Sequence, residues 1–195
     1  MMKKKVLITG TSRGLGYQLA KKFEKEGHNV FQHFGKKDYD LNSQMEIEEL
    51  AKNAKQFGVK VLINNAGILC PGIEFKDYSL EKINEFIDVN LRAPIVLIHL
   101  LKDEIENIIN INSIVGLEVK RNRTLYSASK WGLRGFSNSL KTESECPDIL
   151  DVYVSRLVDQ DKNTDKGLQT KKVSELIYDA FVKKQKELIL DGRNK

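Results

Sequence analysis

Val6-Leu7-Ile8-Thr9-Gly10-Thr11-Ser12-Arg13-Gly14-Leu15-Gly16 is a short apolar run that breaks into a glycine-rich turn and then into the start of an amphipathic segment. A run of this length and composition reads as a strand buried on both faces, here Lys5 to Thr9. Leu15, Leu19, Ala20 and Phe23 then fall on one face at helical spacing, so a helix follows the turn and closes near Gly27. A strand that passes through glycines into a helix brings free backbone amides and the positive end of the helix dipole to one point. Such a point suits a pyrophosphate. The glycine spacing, Gly10, Gly14 and Gly16, is G-x-x-x-G-x-G rather than the commoner G-x-G-x-x-G.

The same alternation continues outward from this stretch. Asn29 to Phe34 reads as the second strand, and Tyr39 to Leu41 as a short strand or turn. Ser43 caps a helix that carries Ile47, Leu50, Ala51 and Ala54 and closes at Gly58. Val59 to Asn64 is a further strand. Ser79 opens a long helix that runs past Asn90 to about Leu101, with a bend expected at Pro94. A strand over Asn107 to Asn112 leads to a helix from Leu125 to Glu145, halted by Pro147. Val152 to Leu157, a helix over Val173 to Lys186 and a last strand at Leu188 to Asp191 complete the pattern. Strands alternating with helices predict an α/β fold: a Rossmann-like, doubly wound parallel sheet in three α/β/α layers. Residues 1–195 fit a single domain on the usual length prior.

Bulk properties narrow the function classes. The net charge is +5, but the lysines are spread over amphipathic segments and form no basic stripe interleaved with aromatics, which argues against nucleic acid. Two cysteines, Cys70 and Cys146, with no Cys-x-x-Cys or Cys/His cluster, argue for reduced thiols and against a metal. The basic N-terminus is followed by only three apolar residues before the glycine turn, too few for a signal core. No stretch approaches the roughly 20 apolar residues that span a bilayer. A cytoplasmic protein with no membrane partner is expected.

The strongest chemical signal is Tyr126-Ser127-Ala128-Ser129-Lys130. Residues i and i+4 share a helix face, so the phenol and the ammonium point into the same space. A free tyrosine keeps its proton to about pH 10, and a neighbouring cation favours the phenolate. Tyr126 can then give and take a proton near neutrality. Ser113 stands at a strand end in Asn112-Ser113-Ile114-Val115-Gly116, where its hydroxyl can polarise a carbonyl. Asn90, in Asp88-Val89-Asn90, is an asparagine in mid-helix, a disfavoured place that asks for a reason. Asn64-Asn65-Ala66-Gly67 closes the strand before it.

Together, the T-G-x-x-x-G-x-G turn, N-N-A-G, Asn90, Ser113 and Tyr-x-x-x-Lys, in this order, resemble the short-chain dehydrogenase/reductase family over about Val6 to Val158. The resemblance implies hydride transfer between a nicotinamide cofactor and a carbonyl or secondary alcohol. It implies Asn90, Ser113, Tyr126 and Lys130 as the catalytic set, with Asn90 helping to hold a water that relays protons to the lysine. It implies a cofactor site built from Gly10, Ser12, Arg13, Gly14, Leu15, Gly16, Asp40, Leu41, Asn64, Ala66, Gly67, Tyr126, Lys130 and the backbone of Val158. It also implies pairing of the helices after Ser79 and around Tyr126 between subunits, hence a homodimer or homotetramer.

The second strand ends in His33-Phe34-Gly35-Lys36-Lys37, without the acidic residue that NAD binders place on the ribose 2′-hydroxyl. Arg13 and Lys36 suit a 2′-phosphate, which favours NADP(H) over NAD(H). Three departures from the family stand out. The second strand runs almost directly into Asp40. Ser155-Arg156-Leu157-Val158 replaces the usual Pro-Gly. Only Asp159 to Lys171, short and polar, separates the sixth strand from the last helix. A short polar lid suits a small polar substrate. Those departures also leave room for a second reading, a non-catalytic NADP(H)-binding regulatory or assembly module.

Overall fold

The computed structural model describes residues 3–69, 72–158 and 167–193. β1 (Lys5–Thr9), β2 (Asn29–His33), β3 (Val61–Asn64), β4 (Asn107–Ser113), β5 (Asp148–Val154) and β8 (Glu187–Leu190) form a six-stranded sheet in the order β2-β1-β3-β4-β5-β8. Every pairing in it is parallel. The central strands are apolar on both faces, as a sheet covered on both sides requires. Val6, Ile8, Ile63, Ile109 and Val152 turn to one face, where α1 (Gly14–Lys25) and α6 (Thr170–Val182) cover them with Leu19, Phe23, Ile177 and Phe181. Leu7, Leu62, Ile108 and Ile149 turn to the other, under Ile47 and Leu50 of α2 (Gln44–Phe57) and Leu97 and Leu101 of α4 (Ala93–Leu101). The expected three-layer, doubly wound architecture is therefore present. Its strand order reverses between β1 and β3, and ligands of such sheets bind in the crevice at that point.

Several boundaries differ from the sequence reading, each for a local reason. Of the two alternatives for Tyr39 to Leu41, strand or turn, the strand is absent, because Asp38 and Tyr39 both donate backbone bonds to Gly35 and the chain coils on itself. The long helix is three pieces: α3 (Leu80–Ile87), one π-helical turn over Asp88–Arg92, and α4. The Ala93 amide donates to Asp88 O, five residues back. The irregularity therefore lies at Asn90, and Pro94 sits in the first turn of α4, where its missing N–H costs nothing. α5 (Thr124–Leu140) ends one turn earlier than expected, in Lys141 and Thr142, which fold back on Ser137 and Ser139. β5 begins and ends before the expected Val152 to Leu157, and Leu157–Val158 is a separate two-residue strand, β6, paired with β7 (Leu168–Gln169). α6 spans Thr170–Val182 rather than Val173 to Lys186. No helix among the described residues is long and apolar enough to cross a membrane.

Candidate active site

The glycine turn lies at the switch point and is held there by Thr9 and Asn65. Thr9 Oγ1 accepts from the amides of Asn65 and Ala66, each at 3.0 Å, while Asn65 Nδ2 donates to the carbonyls of Thr9 and Gly10 at 2.8 and 3.0 Å. Gly10 and Gly14 have φ of +73° and +60°, and a Cβ on Gly16 would stand 2.1 Å from Gly10 O and 2.4 Å from Asn65 Nδ2. The turn is thus wound as tightly as an absent side chain allows. Arg13 is the N-cap of α1, and no side chain caps this helix, so the first-turn amides of Gly14, Leu15 and Gly16 are available to an anion. Ser12 and Arg13 are exposed and Leu15 is buried. Gly16→Ala is expected to destabilise the fold by about 1–3 kcal/mol and to abolish nucleotide binding, because the turn must open to admit the methyl group. Thermal denaturation and a nucleotide titration check both effects.

His33 ends β2 and is buried. Its Nδ1 accepts from the Gly10 amide at 3.3 Å and its Nε2 lies 2.9 Å from Tyr39 O, which fixes the Nε2-protonated neutral tautomer. Burial lowers its pKa, in keeping with that neutral form. The Thr11 amide and hydroxyl both donate to His33 O. One side chain therefore joins the glycine turn to the Tyr39–Leu41 segment, a role the sequence reading missed. The signal was a histidine at the end of a strand, just before the Gly35 turn. Asp40 Oδ1 accepts from the Asn42 amide and from Asn42 Nδ2, each at 3.0 Å, and Leu41 is buried against α2 and α4. Lys36, read from the sequence as a cation open to a phosphate, is instead ion-paired: its Nζ lies 3.5 Å from Asp40 Oδ2 and 3.4 Å from Glu85 Oε1. Attraction to Asp40 raises its pKa. Arg13 remains exposed at the mouth of the turn.

The sheet end beyond β3 and β4 carries the second half of the site. Asn90, in the π turn, is 1% exposed, and its side chain makes a reciprocal pair with the backbone of Ile68: Oδ1 accepts from the amide at 2.7 Å and Nδ2 donates to the carbonyl at 3.0 Å. This pins the segment Ala66-Gly67-Ile68 to the helix. A Cβ on Gly67 would come within 3.2 Å of Asn90 Oδ1. Asn112 does the same for α5. It accepts the Ser113 amide at 2.8 Å, donates to Lys130 O at 3.1 Å, and packs so closely that a Cβ on Gly116 would lie 2.9 Å from its Oδ1. Ser113 Oγ accepts from the Val115 amide at 3.3 Å, a bond that orients the hydroxyl and leaves its proton to donate elsewhere.

Lys130 is 5% exposed, and its Nζ donates to Ile111 O at 3.0 Å and stands 5.7 Å from the centre of the Tyr126 ring. Burial pulls its pKa down to about 8. Tyr126 is half-buried on the same helical face. The structure thus brings Ser113, Tyr126 and Lys130 to the end of the sheet where β4 stops, with Asn90 pinning the Ile68 segment beside it.

Asn64 takes a different part from the one expected. Its Nδ2 donates to Asn110 Oδ1 at 2.9 Å, and Asn110 in turn reaches Ser137 Oγ and Asp151 Oδ1. Asn64, Asn110 and Asp151 are register neighbours, so Asn64 starts a buried polar row across the sheet under α5. Asn65, beside it, does the work at the turn. Val158 is buried in the β6–β7 pair and Arg156 is exposed. Of the short polar segment Asp159 to Lys171, residues 159–166 lie outside the described residues, as does Cys70, while Leu168–Gln169 form β7 and Thr170 opens α6; among the described residues no cluster of histidine, cysteine or carboxylates could hold a metal.

Known proteins are similar to this chain in sequence and in fold. The family model for short chain dehydrogenases matches residues 31–154. An uncharacterized oxidoreductase of Staphylococcus aureus is 28% identical over 162 residues, 70% of this chain and 70% of that protein. The fold is similar to that of an alcohol dehydrogenase from the archaeon Thermococcus sibiricus solved with 5-hydroxy-NADP, with a TM-score of 0.82 and 22% identity over 97% of this chain and 96% of that one. It is also similar to that of 4-hydroxyisoleucine dehydrogenase solved with NADH, with a TM-score of 0.84 and 18% identity over 98% of both chains. A tyrosine and a buried lysine on one helix face, a serine at the facing strand end, and a tight glycine turn at the switch point of a doubly wound sheet accompany a family match over more than half the chain; the chain belongs to the short-chain dehydrogenase family of oxidoreductases.

Proposed function

We propose that the chain is an NADP(H)-dependent reductase of a small, polar carbonyl compound, run in reverse as a dehydrogenase of the secondary alcohol. The observation that carries this reading is the buried Lys130 ammonium beside Tyr126, at the strand end that bears Ser113. A buried cation with a single carbonyl for a partner is costly to keep, and it has a purpose if it tunes a neighbouring phenol.

The cradle fits a dinucleotide. The amides of Gly14, Leu15 and Gly16, which no side chain of the N-cap residue covers, would hold the pyrophosphate, and by resemblance to the family Asp40 and Leu41 would lie by the adenine, Ala66 and Gly67 by its ribose, and the Val158 backbone by the carboxamide. Arg13 at the mouth of the turn, together with Lys36, favours a phosphorylated ribose. The Thermococcus protein carries an NADP derivative and the hydroxyisoleucine enzyme carries NADH. The preference for NADP(H) here therefore rests on Arg13 and Lys36 and on the missing acid after β2.

When bound, NADPH supplies the hydride. Ser113 donates its proton in a hydrogen bond to the substrate oxygen and polarises the carbonyl. Tyr126 gives its phenolic proton to that oxygen as negative charge builds on it. Lys130, charged below about pH 8, stabilises the phenolate left behind. Asn90 holds the Ile68 segment with both polar atoms of its side chain, and by resemblance to the family it would help to keep a water that relays protons to Lys130. The same helices, α4 and α5, supply the face for a homodimer or homotetramer.

The test is a panel of small polar and long apolar carbonyls with NADPH, followed by the loss of its absorbance. Turnover of polar members is expected. Nucleotide binding without turnover of any member transfers the reading to a regulatory module, and comparable rates on long apolar ketones overturn the substrate class.

A further inference from the structure

Four charged groups from three segments meet at the ribose corner. Lys36 lies just past β2, which touches the glycine turn through the bonds from Thr11 to His33 O. Its ammonium is shared by Asp40, in the following turn, and by Glu85, which comes from α3, 49 positions along the chain. Glu85 in turn uses its other oxygen for Lys82, one helical turn back. The resulting row, Asp40–Lys36–Glu85–Lys82, has two acids and two bases and no net charge.

Such a row is a poor receptor for a phosphate as it stands. A phosphomonoester brings a charge of about −1.5 to −2 near neutrality, and here it would meet two carboxylates that already hold the lysine. The two acids are not equivalent. Asp40 is fixed by the Asn42 amide and side chain, both on Oδ1, and its backbone amide is held by Glu46 Oε2 at 2.6 Å. Among the described residues Glu85 is held by the two lysines alone, so releasing Lys36 still leaves it Lys82.

We propose that Glu85 competes with the 2′-phosphate of the dinucleotide for Lys36 and thereby limits how strongly the chain prefers the phosphorylated cofactor. The inference rests on the NADP(H) reading of the site. On binding, Lys36 exchanges Glu85 for the phosphate and Glu85 stays with Lys82. Without a 2′-phosphate the row is left intact, so NADH gains nothing from the exchange. Glu85 is thus a specificity residue that acts through Lys36.

The experiment is equilibrium titration of NADPH and NADH by fluorescence, at low and at high ionic strength, on the wild type, Glu85→Gln, Lys36→Met and the double variant, with thermal denaturation to confirm that each is folded. Exposed ion pairs are each worth about 0.2–1 kcal/mol, so Glu85→Gln is expected to tighten NADPH about 2- to 5-fold and to leave NADH unchanged. The gain should shrink in high salt and in the Lys36→Met background. An unchanged NADPH affinity in Glu85→Gln, or an equal gain for NADH, overturns the proposal while leaving the cofactor reading standing. Failure of the wild type to bind NADPH overturns that reading itself, and the proposal with it.

Discussion

Replacement of Tyr126 by phenylalanine is expected to lower turnover by about 10²–10⁴-fold, the usual contribution of a positioned general acid, while nucleotide affinity stays nearly unchanged. The ring and its packing survive; only the hydroxyl goes. That hydroxyl is the proton donor of the proposed mechanism, and the buried Lys130 lies 5.7 Å from the centre of its ring. Steady-state kinetics with the best carbonyl of the panel, beside a fluorescence titration, separates the two effects. A non-catalytic nucleotide-binding module would show no activity to lose, and an enzyme that keeps its turnover in Tyr126→Phe takes its proton from elsewhere.

Lys130→Met has the second large effect, and its two parts have opposite signs. Activity should fall about as far as in Tyr126→Phe, because the cation that supports the phenolate is gone. Stability should rise. Lys130 has a pKa of about 8 in the fold, against 10.5 when unburied. Below about pH 8 it is charged in both states, so the native state bears the full cost of the buried charge. Between about pH 8 and 10.5 the unfolded chain binds the proton that the folded chain has lost, and stability increases with pH across that window. The shift corresponds to about 3 kcal/mol. Loss of the bond to Ile111 O removes part of the gain, leaving about 1–2 kcal/mol near pH 7. That is a rise of a few degrees in Tm for a chain of this size. The advantage of Lys130→Met should fade as pH climbs through the window. A variant that is less stable than wild type at pH 7 would mean that Lys130 is a structural residue.

The fold was largely legible from the chain, because parallel strands buried on both faces announce themselves as apolar runs and the helices between them carry clear stripes. The register of polar groups inside those runs was less legible. Asn110 and Asn112 sit two apart in an otherwise isoleucine-rich strand, and that alternation marks a polar seam on one face. Its partners, Asn64, Ser137, Asp151 and the carbonyl of Lys130, come from other elements and emerge only when the strands are in register. The sequence placed Asn90 in the site but assigned the bend to Pro94; the five-residue spacing from Asp88 to Ala93 is a backbone choice that no residue type spells out. Lys36 was read as free for a phosphate, yet Asp40, four positions on, engages it, and the second acid lies 49 positions away. Local motifs thus located the tyrosine, lysine, serine and glycines, while the groups that hold them were hidden by distance along the chain.

The most direct test of the account is the titration of the wild-type chain with NADPH and with NADH. The account predicts saturable binding of both through the glycine turn, with NADPH the tighter because its 2′-phosphate would be met by Arg13 and by Lys36 once Lys36 leaves Glu85. Binding of neither nucleotide would contradict the central claim, and tighter binding of NADH would overturn the assignment of the cofactor.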